Sequence, residues 1–575
     1  MSLDVTSKPR FLFRKPLSQI DWRITILLFL PLILIGVNAS WILIWPLKGG
    51  LDAWIYTGYF LDLHDHLKLL PSAYFGTRLP WILPGFLAHK LFAPLIANYV
   101  LHLAFYYAAT FSFYFTLKKS LSKRVAFPLT LLMGTFSYFL FAFGSNYIDG
   151  AGITYVLLTL LTLTDVYQSK YSYLRLFLAG VFCSCMCFTQ IFLVIYVPFM
   201  MLYFLFMNYP YSLRFLKKAF YFLVIGSLSL TLFLCCMNEY FHGKFFFFGP
   251  ALKTAGRLSM HNDFWVPLSK WWSNASWNFF PLLISVGSLS TLIFYKKVLT
   301  FPKAKNILFF QVFFLVSFSL YIFFQFVEKQ PVLQLSYYVS YLIPLFFLAL
   351  GGQMMLIINA MSARSYFLLM ILITSLSLIG FSLSSDFFPL LNDFPIYLVF
   401  GLLSCLSFLF RHTSWKTLAV IFLVFTFGTF NLQHNLANDN PPDLTTQKSA
   451  FLALYQGFER INEIDPERRG TFWFNTQDSN KYLYWALCCN YLCHRRLINE
   501  SFPKITSENT YISPKEKRKI FVLSTEAHPV EEANKGLIPM GFKGTLDQEV
   551  EIHEGPISFK ITSLNITLTA NNTNN

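Results

Sequence analysis

The chain has 575 residues, of which 55% are hydrophobic, 19% aromatic and 13% charged, with a mean hydropathy of +0.50. Soluble domains average about 25% charged residues, so this composition excludes a soluble globular protein and requires a polytopic membrane protein. The net charge of +16 gathers in short loops between apolar runs, as positive-inside topology and contact with anionic headgroups demand. A basic stripe on a soluble module is missing, and nucleic acid is excluded as a partner.

Spans of about 20 apolar residues, with Lys and Arg marking the cytoplasmic side, predict the following path. Residues 1–23 form a basic cytoplasmic tail (Lys8, Arg10, Arg14, Lys15, Arg23), and the long run after it reads as a signal anchor. The first span covers about 24–46. The outer loop 47–94 follows, and its apolar stretch 79–93, interrupted by Pro80, Pro84, His89 and Lys90, predicts a helix lying in the interface. Spans are then expected at 95–117, 126–144, 150–166, 174–189, 191–209 and 219–237. A second long outer loop, 238–276, precedes spans at 277–295, 307–326, 335–358, 365–383, 390–410 and 416–432. The total is about thirteen transmembrane helices over residues 24–434.

From about Asn435 the composition turns polar. Residues 435–568 predict a small extracytoplasmic α/β domain, with strands at 470–475, 519–524, 548–553 and 557–566 and a helix over 479–492; residues 569–575 form a disordered tail. The expected fold class is therefore an α-helical polytopic membrane protein with a small C-terminal α/β domain.

The polar residues that interrupt this apolar chain are where chemistry is sought, because charge near a bilayer is usually kept for function. Asp52, in Gly50-Leu51-Asp52-Ala53-Trp54-Ile55-Tyr56, reads either as a helix cap or solvated loop acid or as a general base toward an incoming hydroxyl. Tyr56, four residues on, shares its face if the segment is helical. In Tyr74-Phe75-Gly76-Thr77-Arg78-Leu79-Pro80, the Arg78 fork suits phosphate oxygens, and snorkelling to headgroups is the competing role. Asp149, in the short turn Tyr147-Ile148-Asp149-Gly150, is either the cap of the next helix or a functional acid. Lys253 and Arg257, four apart in the second outer loop, are spaced to grip one anion or to meet headgroups.

Three further features carry less. Asp62 and His66 stand at i,i+4, which allows a divalent metal but fits a solvated interfacial helix better. Cys488, Cys489, Cys493 and His494 match no zinc template and read as a disulfide or free thiols. Gln190, between two spans, is isolated and takes no assignment. No P-loop, nucleophile elbow or dinucleotide fingerprint is present, which disfavours a nucleotide-driven pump.

The acid after the first span, the following Tyr56, and Tyr74 to Pro80 leading into an interfacial helix resemble the first outer loop of GT-C glycosyltransferases. The likeness is to the dolichyl-phosphate-mannose mannosyltransferase and aminoarabinose transferase type and its bacterial relatives. It covers residues 50–95 and 145–152 and the overall layout. The family's Asp-Glu pair is here Asp52-Ala53, and its Lys-Pro-Pro is Arg78-Leu79-Pro80. The resemblance implies transfer of a sugar from a polyprenyl-phosphate donor to a lipid, glycan or protein acceptor at the outer face of a bacterial inner membrane. Asp52 would be the base with Asp149 supporting it, and Tyr56, Tyr74, Arg78, Lys253 and Arg257 would bind substrate. It also leaves a divalent cation open, with no metal ligand assigned. A transporter of lipid-linked saccharide would instead hold its charges near mid-membrane, and a non-catalytic envelope assembly protein would use the C-terminal domain to bind a partner.

Overall fold

The computed structural model describes residues 22–37, 52–69, 71, 73–258, 279–360, 444–474, 488–490, 492–493, 497–499, 518–524, 529–540 and 542–568. The expected N-terminal tail, the spans at 365–383, 390–410 and 416–432, and the C-terminal tail lie outside those residues. Within them the chain forms a helical bundle and a five-stranded sheet.

The bundle starts with α1 (Trp22–Val37). The first loop then folds into α2 (Asp52–Leu61), α3 (Leu63–Leu69) and, after a 3-10 turn at Phe75–Thr77, α4 (Leu79–Leu91). Pro80 sits in the first turn of α4 and Pro94 opens α5 (Pro94–Ser120), where the missing N–H removes no helical bond. At 13 residues α4 is too short to span a bilayer, in keeping with an interfacial helix. Lys118 and Lys119 close α5 against its negative dipole end.

The span expected at 126–144 is two helices, α6 (Lys123–Gly134) and α7 (Ser137–Gly144). At the break the Thr135 side chain bonds back to Leu131 O at 2.8 Å. Next come α8 (Asp149–Leu163), α9 (Ser172–Thr189), a 3-10 turn at Ile191–Tyr196, α10 (Val197–Asn208) and α11 (Leu213–Tyr240). The second loop contributes α12 (Gly249–Leu258), followed by α13 (Phe279–Ile293), α14 (Ala304–Phe326) and α15 (Ile343–Ala360). Among the described residues, Pro94–Ser120, Ser172–Thr189, Ile191–Asn208, Leu213–Tyr240 and Ala304–Phe326 are long and apolar enough to cross a membrane. The protein is a multi-pass membrane protein.

Two devices hold these helices together where lipid removes the hydrophobic drive. The first is close backbone approach: a Cβ at Gly180 would fall 2.1 Å from Leu223 O, and one at Gly226 would fall 2.0 Å from Phe177 O, so α9 and α11 touch through glycine. The second is a buried amide cluster. Gln353 Nε2 donates to Gln311 Oε1 (3.0 Å) and Ser288 Oγ (3.2 Å), and Gln311 Nε2 donates to Ala349 O (2.9 Å), tying α13, α14 and α15.

The C-terminal unit has α16 (Leu444–Ile464), β1 (Thr471–Phe474), β2 (Leu497–Asn499), β3 (Arg518–Ser524), α17 (Pro529–Leu537), β4 (Phe542–Glu554) and β5 (Ile557–Leu568). Strand order is β2-β1-β3-β5-β4, parallel across β2, β1 and β3 and antiparallel from β3 to β5 to β4. Gly555, at φ +56°, supplies the left-handed residue of the tight β4–β5 turn ahead of Pro556. The expected helix over 479–492 falls largely outside the described residues. Only 488–490 and 492–493 are seen, and both pieces are helical.

The C-terminal unit is not an appendage, and α2 shows why. Ile55, Tyr56, Tyr59 and Phe60 of α2 belong to the bundle core, whereas Ala53 and Trp54 belong to the core built by α16 and the sheet. Trp54 stacks on Phe451 of α16 at 6.5 Å. Leu492 O lies so near Gly58 that a Cβ there would stand 2.2 Å from it. The segment Asp62–His66, expected as a solvated interfacial helix with an outside chance of metal, instead docks this unit. Arg468, in the left-handed conformation at φ +54°, pairs with Asp62 and reaches Asp65 at 3.3 Å, while His66 Nε2 meets Leu492 O at 3.0 Å. The Arg468 side chain is only 8% exposed, so breaking the pair strands a partly buried carboxylate. Arg468→Ala is expected to lower the melting temperature of the purified protein by about 1–3 °C, from a loss of about 1–3 kcal/mol. The Asp62→Arg/Arg468→Asp exchange should recover part of that loss, and thermal melts of the three proteins check it.

Candidate active site

Asp52 occupies the first turn of α2 and Asp149 the first residue of α8, so both acids face positive helix ends. Asp149 is not the cap of its helix. Ile148 holds that position without a side-chain bond, and the Asp149 carboxylate accepts a hydrogen bond from Tyr341 OH at 3.0 Å instead. Glycine makes room for that partner: a Cβ at Gly152 would stand 2.5 Å from the Tyr341 ring. Tyr341 is 192 residues away in sequence, and no local pattern around it announces the pairing.

Arg78 is the pivot of the site. It follows the 3-10 turn at Phe75–Thr77 and is only 4% exposed. Its guanidinium donates to Tyr56 OH and Tyr74 OH and lies 4.4 Å from the centre of the Tyr74 ring. Among the described residues no carboxylate stands within ion-pair distance of it. A buried guanidinium held only by phenol oxygens and ring faces keeps donor capacity for an anion. Tyr56 in turn meets Phe75 and Tyr147 edge-on, each at 5.9 Å, so the Arg78 cluster abuts the turn that leads into Asp149. Burial pushes the Asp52 carboxyl above its ordinary value, and the Arg78 charge opposes part of that rise. Burial likewise raises the Tyr56 phenol, again against Arg78, so the phenol stays protonated at neutral pH.

A cavity of about 140 Å³ opens beside Arg78. Its walls are Tyr74, Thr77 and Arg78 on one side, Cys187 to Ile191 and Val194 at the end of α9 on another, and Phe248, Ala251 and Leu252 of the α12 region on the third. Lys253 follows these last two and is exposed, and Arg257 is one turn farther along α12. The structure thus gathers Tyr56, Tyr74 and Arg78 tightly, sets Asp52 and Asp149 at neighbouring helix starts, and puts the helix carrying Lys253 and Arg257 at the cavity wall. Gln190, left unassigned from sequence, lines this cavity, is 3% exposed, and has no side-chain hydrogen bond among the described residues.

No protein-family model matches the chain, and no curated protein matches it. Solved structures do. ArnT from Cupriavidus metallidurans in the apo state superimposes with a TM-score of 0.50 at 11% identity, covering 94% of this chain and 98% of that one. The chain has the fold of that protein. The same ArnT bound to undecaprenyl phosphate aligns at 10% identity and a TM-score of 0.47, covering 94% of this chain and 97% of that one. An Archaeoglobus fulgidus oligosaccharyltransferase tethered with an acceptor peptide aligns at 12% and 0.41, covering 84% and 64%.

On this fold the position after Asp52 is instructive. Ala53 is 1% exposed within the core of the C-terminal unit, where a second carboxylate would be buried without a partner. Among the described residues no three His, Cys, Asp or Glu side chains gather where they would hold a metal ion. The described side chains therefore supply no such donor set for a divalent cation.

Proposed function

We propose that this protein transfers a sugar from a polyprenyl-phosphate donor to an acceptor hydroxyl or amine at the outer face of the membrane. The observation that carries the reading is Arg78: a buried guanidinium, without a carboxylate partner among the described residues, beside a cavity and between two tyrosine hydroxyls. Such a group binds a phosphate, and an apolar groove between helices receives a polyprenyl chain.

In the reaction, Asp52 accepts the proton of the acceptor as the acceptor atom bonds to the sugar's anomeric carbon. The bond from that carbon to phosphate oxygen breaks, and its electron pair leaves on the polyprenyl phosphate. Arg78, with Tyr56 and Tyr74 fixing its fork, stabilises that developing charge. Asp149, oriented by Tyr341, supports the sugar, and Lys253 and Arg257 draw the phosphate toward the cavity. Direct displacement inverts the anomeric centre without a covalent intermediate. The topology proposed with this reading has about thirteen spans, a cytoplasmic N-terminus and an extracytoplasmic C-terminal domain.

Mass spectrometry of membrane lipids and envelope glycans, with and without the protein, tests the reading. The expected result is that loss of the protein removes one sugar modification and accumulates the sugar-loaded carrier. An unchanged glycan inventory overturns it and shifts weight to transport of a lipid-linked saccharide or to an assembly role.

A further inference from the structure

Between the proposed site residues runs a buried polar chain that the reaction scheme does not use. Asn146, fully buried, lies three residues before Asp149. Its Nδ2 donates to Thr57 Oγ1 at 2.8 Å, and the Thr57 hydroxyl donates onward to Ala53 O at 2.8 Å within α2. Its Oδ1 accepts from His102 Nε2 of α5 at 2.6 Å. Its backbone oxygen accepts from the Trp81 indole at 3.4 Å, near the start of α4. Thr57, His102 and Trp81 are each 3% exposed or less. The chain therefore touches the neighbour of Tyr56, the helix that Arg78 leads into, and the turn that ends at Asp149.

We infer that Asn146 is a positioning residue: with Thr57 and His102 it locks α2, α4 and the start of α8 in one register, and so sets the distance between Asp52, Arg78 and Asp149. The physical ground is that a buried amide must keep its partners. A network that is fully satisfied specifies a single arrangement, whereas one with a lost partner does not. Alignment matters because displacement of about 1 Å at a reacting centre is worth on the order of 10²-fold in rate. The glycines at positions 150 and 152 let the turn seat closely, since a Cβ at Gly150 would stand 2.8 Å from Ala142 O.

The inference rests on the glycosyl-transfer reading, and its test separates the two. Thr57→Val keeps the shape of the side chain and removes the hydroxyl, leaving the Asn146 amide without its acceptor. With wild-type protein active on a polyprenyl-phosphate sugar, Thr57→Val is expected to lower kcat about 10- to 100-fold, with the KM for donor within threefold. Thr57→Ser should restore most of it. Hydrogen–deuterium exchange of the purified variants supplies a readout independent of activity: amides of 145–149, across the hydrogen bond from the substitution, should exchange faster in Thr57→Val and not in Thr57→Ser. Inactive wild-type protein would strike the transfer reading alone, and exchange at 145–149 would then decide the positioning role. Unchanged exchange in that turn, or a kcat within twofold of wild type, overturns it.

Discussion

Asp52→Asn is expected to abolish sugar transfer, lowering kcat by about 10²–10⁴-fold, the usual contribution of a positioned base. The amide keeps the size and much of the hydrogen bonding of the carboxylate at the start of α2, so folding and carrier binding should persist. Titration of carrier affinity beside single-turnover transfer separates these effects. A variant that binds donor normally and still turns over within tenfold of wild type would remove Asp52 from the proton-transfer step. The pH dependence has a definite sign. Burial raises the Asp52 carboxyl above the ordinary 3.8 of an aspartate, and a protonated carboxyl cannot accept the acceptor's proton. Transfer therefore rises with pH through an apparent value higher than that of a free aspartate, and Asp52→Asn loses this limb.

Substitution of Arg78 should act on both binding and that profile. Arg78→Lys keeps a positive charge but not the planar fork, so it cannot serve Tyr56, Tyr74 and a phosphate together. The KM for the donor is expected to rise about 10- to 100-fold, in line with about 1.5–3 kcal/mol for one charge-assisted hydrogen bond. Arg78→Gln removes the charge itself. Since that charge holds the Asp52 carboxyl lower than burial alone would leave it, its loss should move the acidic limb to higher pH as well as weaken donor binding. A KM unchanged in both variants would assign the buried guanidinium to packing. A weakened donor with an unmoved limb would separate Arg78 from Asp52.

Much of this arrangement is legible in the sequence, for a reason that belongs to membranes. Against a hydrocarbon background, Asp52, Arg78 and Asp149 stand out because each costs free energy that a soluble protein would not register. Their neighbours Tyr56 and Tyr74 come with them by simple spacing. The short helix after Arg78 is readable from its length and prolines. What stayed hidden were long-range pairings of ordinary residues. Nothing local announces that Tyr341 will bind Asp149, that Asn146 will bridge Thr57 and His102, or that Gln190 faces the cavity of Arg78. The break between α6 and α7 is invisible to hydropathy, which runs apolar straight across it. Asp62 to His66 misled for the opposite reason. Their polarity looked like solvation, and it answers to Arg468 and Leu492, partners about 400 residues downstream that no window reaches. The three-residue strand β2 and the nine-residue helix α17 are too short to read from pattern.

The two-faced packing of α2 bears on how the protein is made. The helix is synthesised by residue 61 of 575, yet Trp54 and Gly58 find their partners only when Phe451 and Leu492 have been synthesised. His66 and Leu492 are 426 residues apart, which at about 5–20 residues per second is roughly 20–90 s of translation. During that interval Ala53 and Trp54, beside Asp52, have no core to settle into. The nascent bundle therefore holds Asp52 on an unfinished scaffold that is completed only with the final domain.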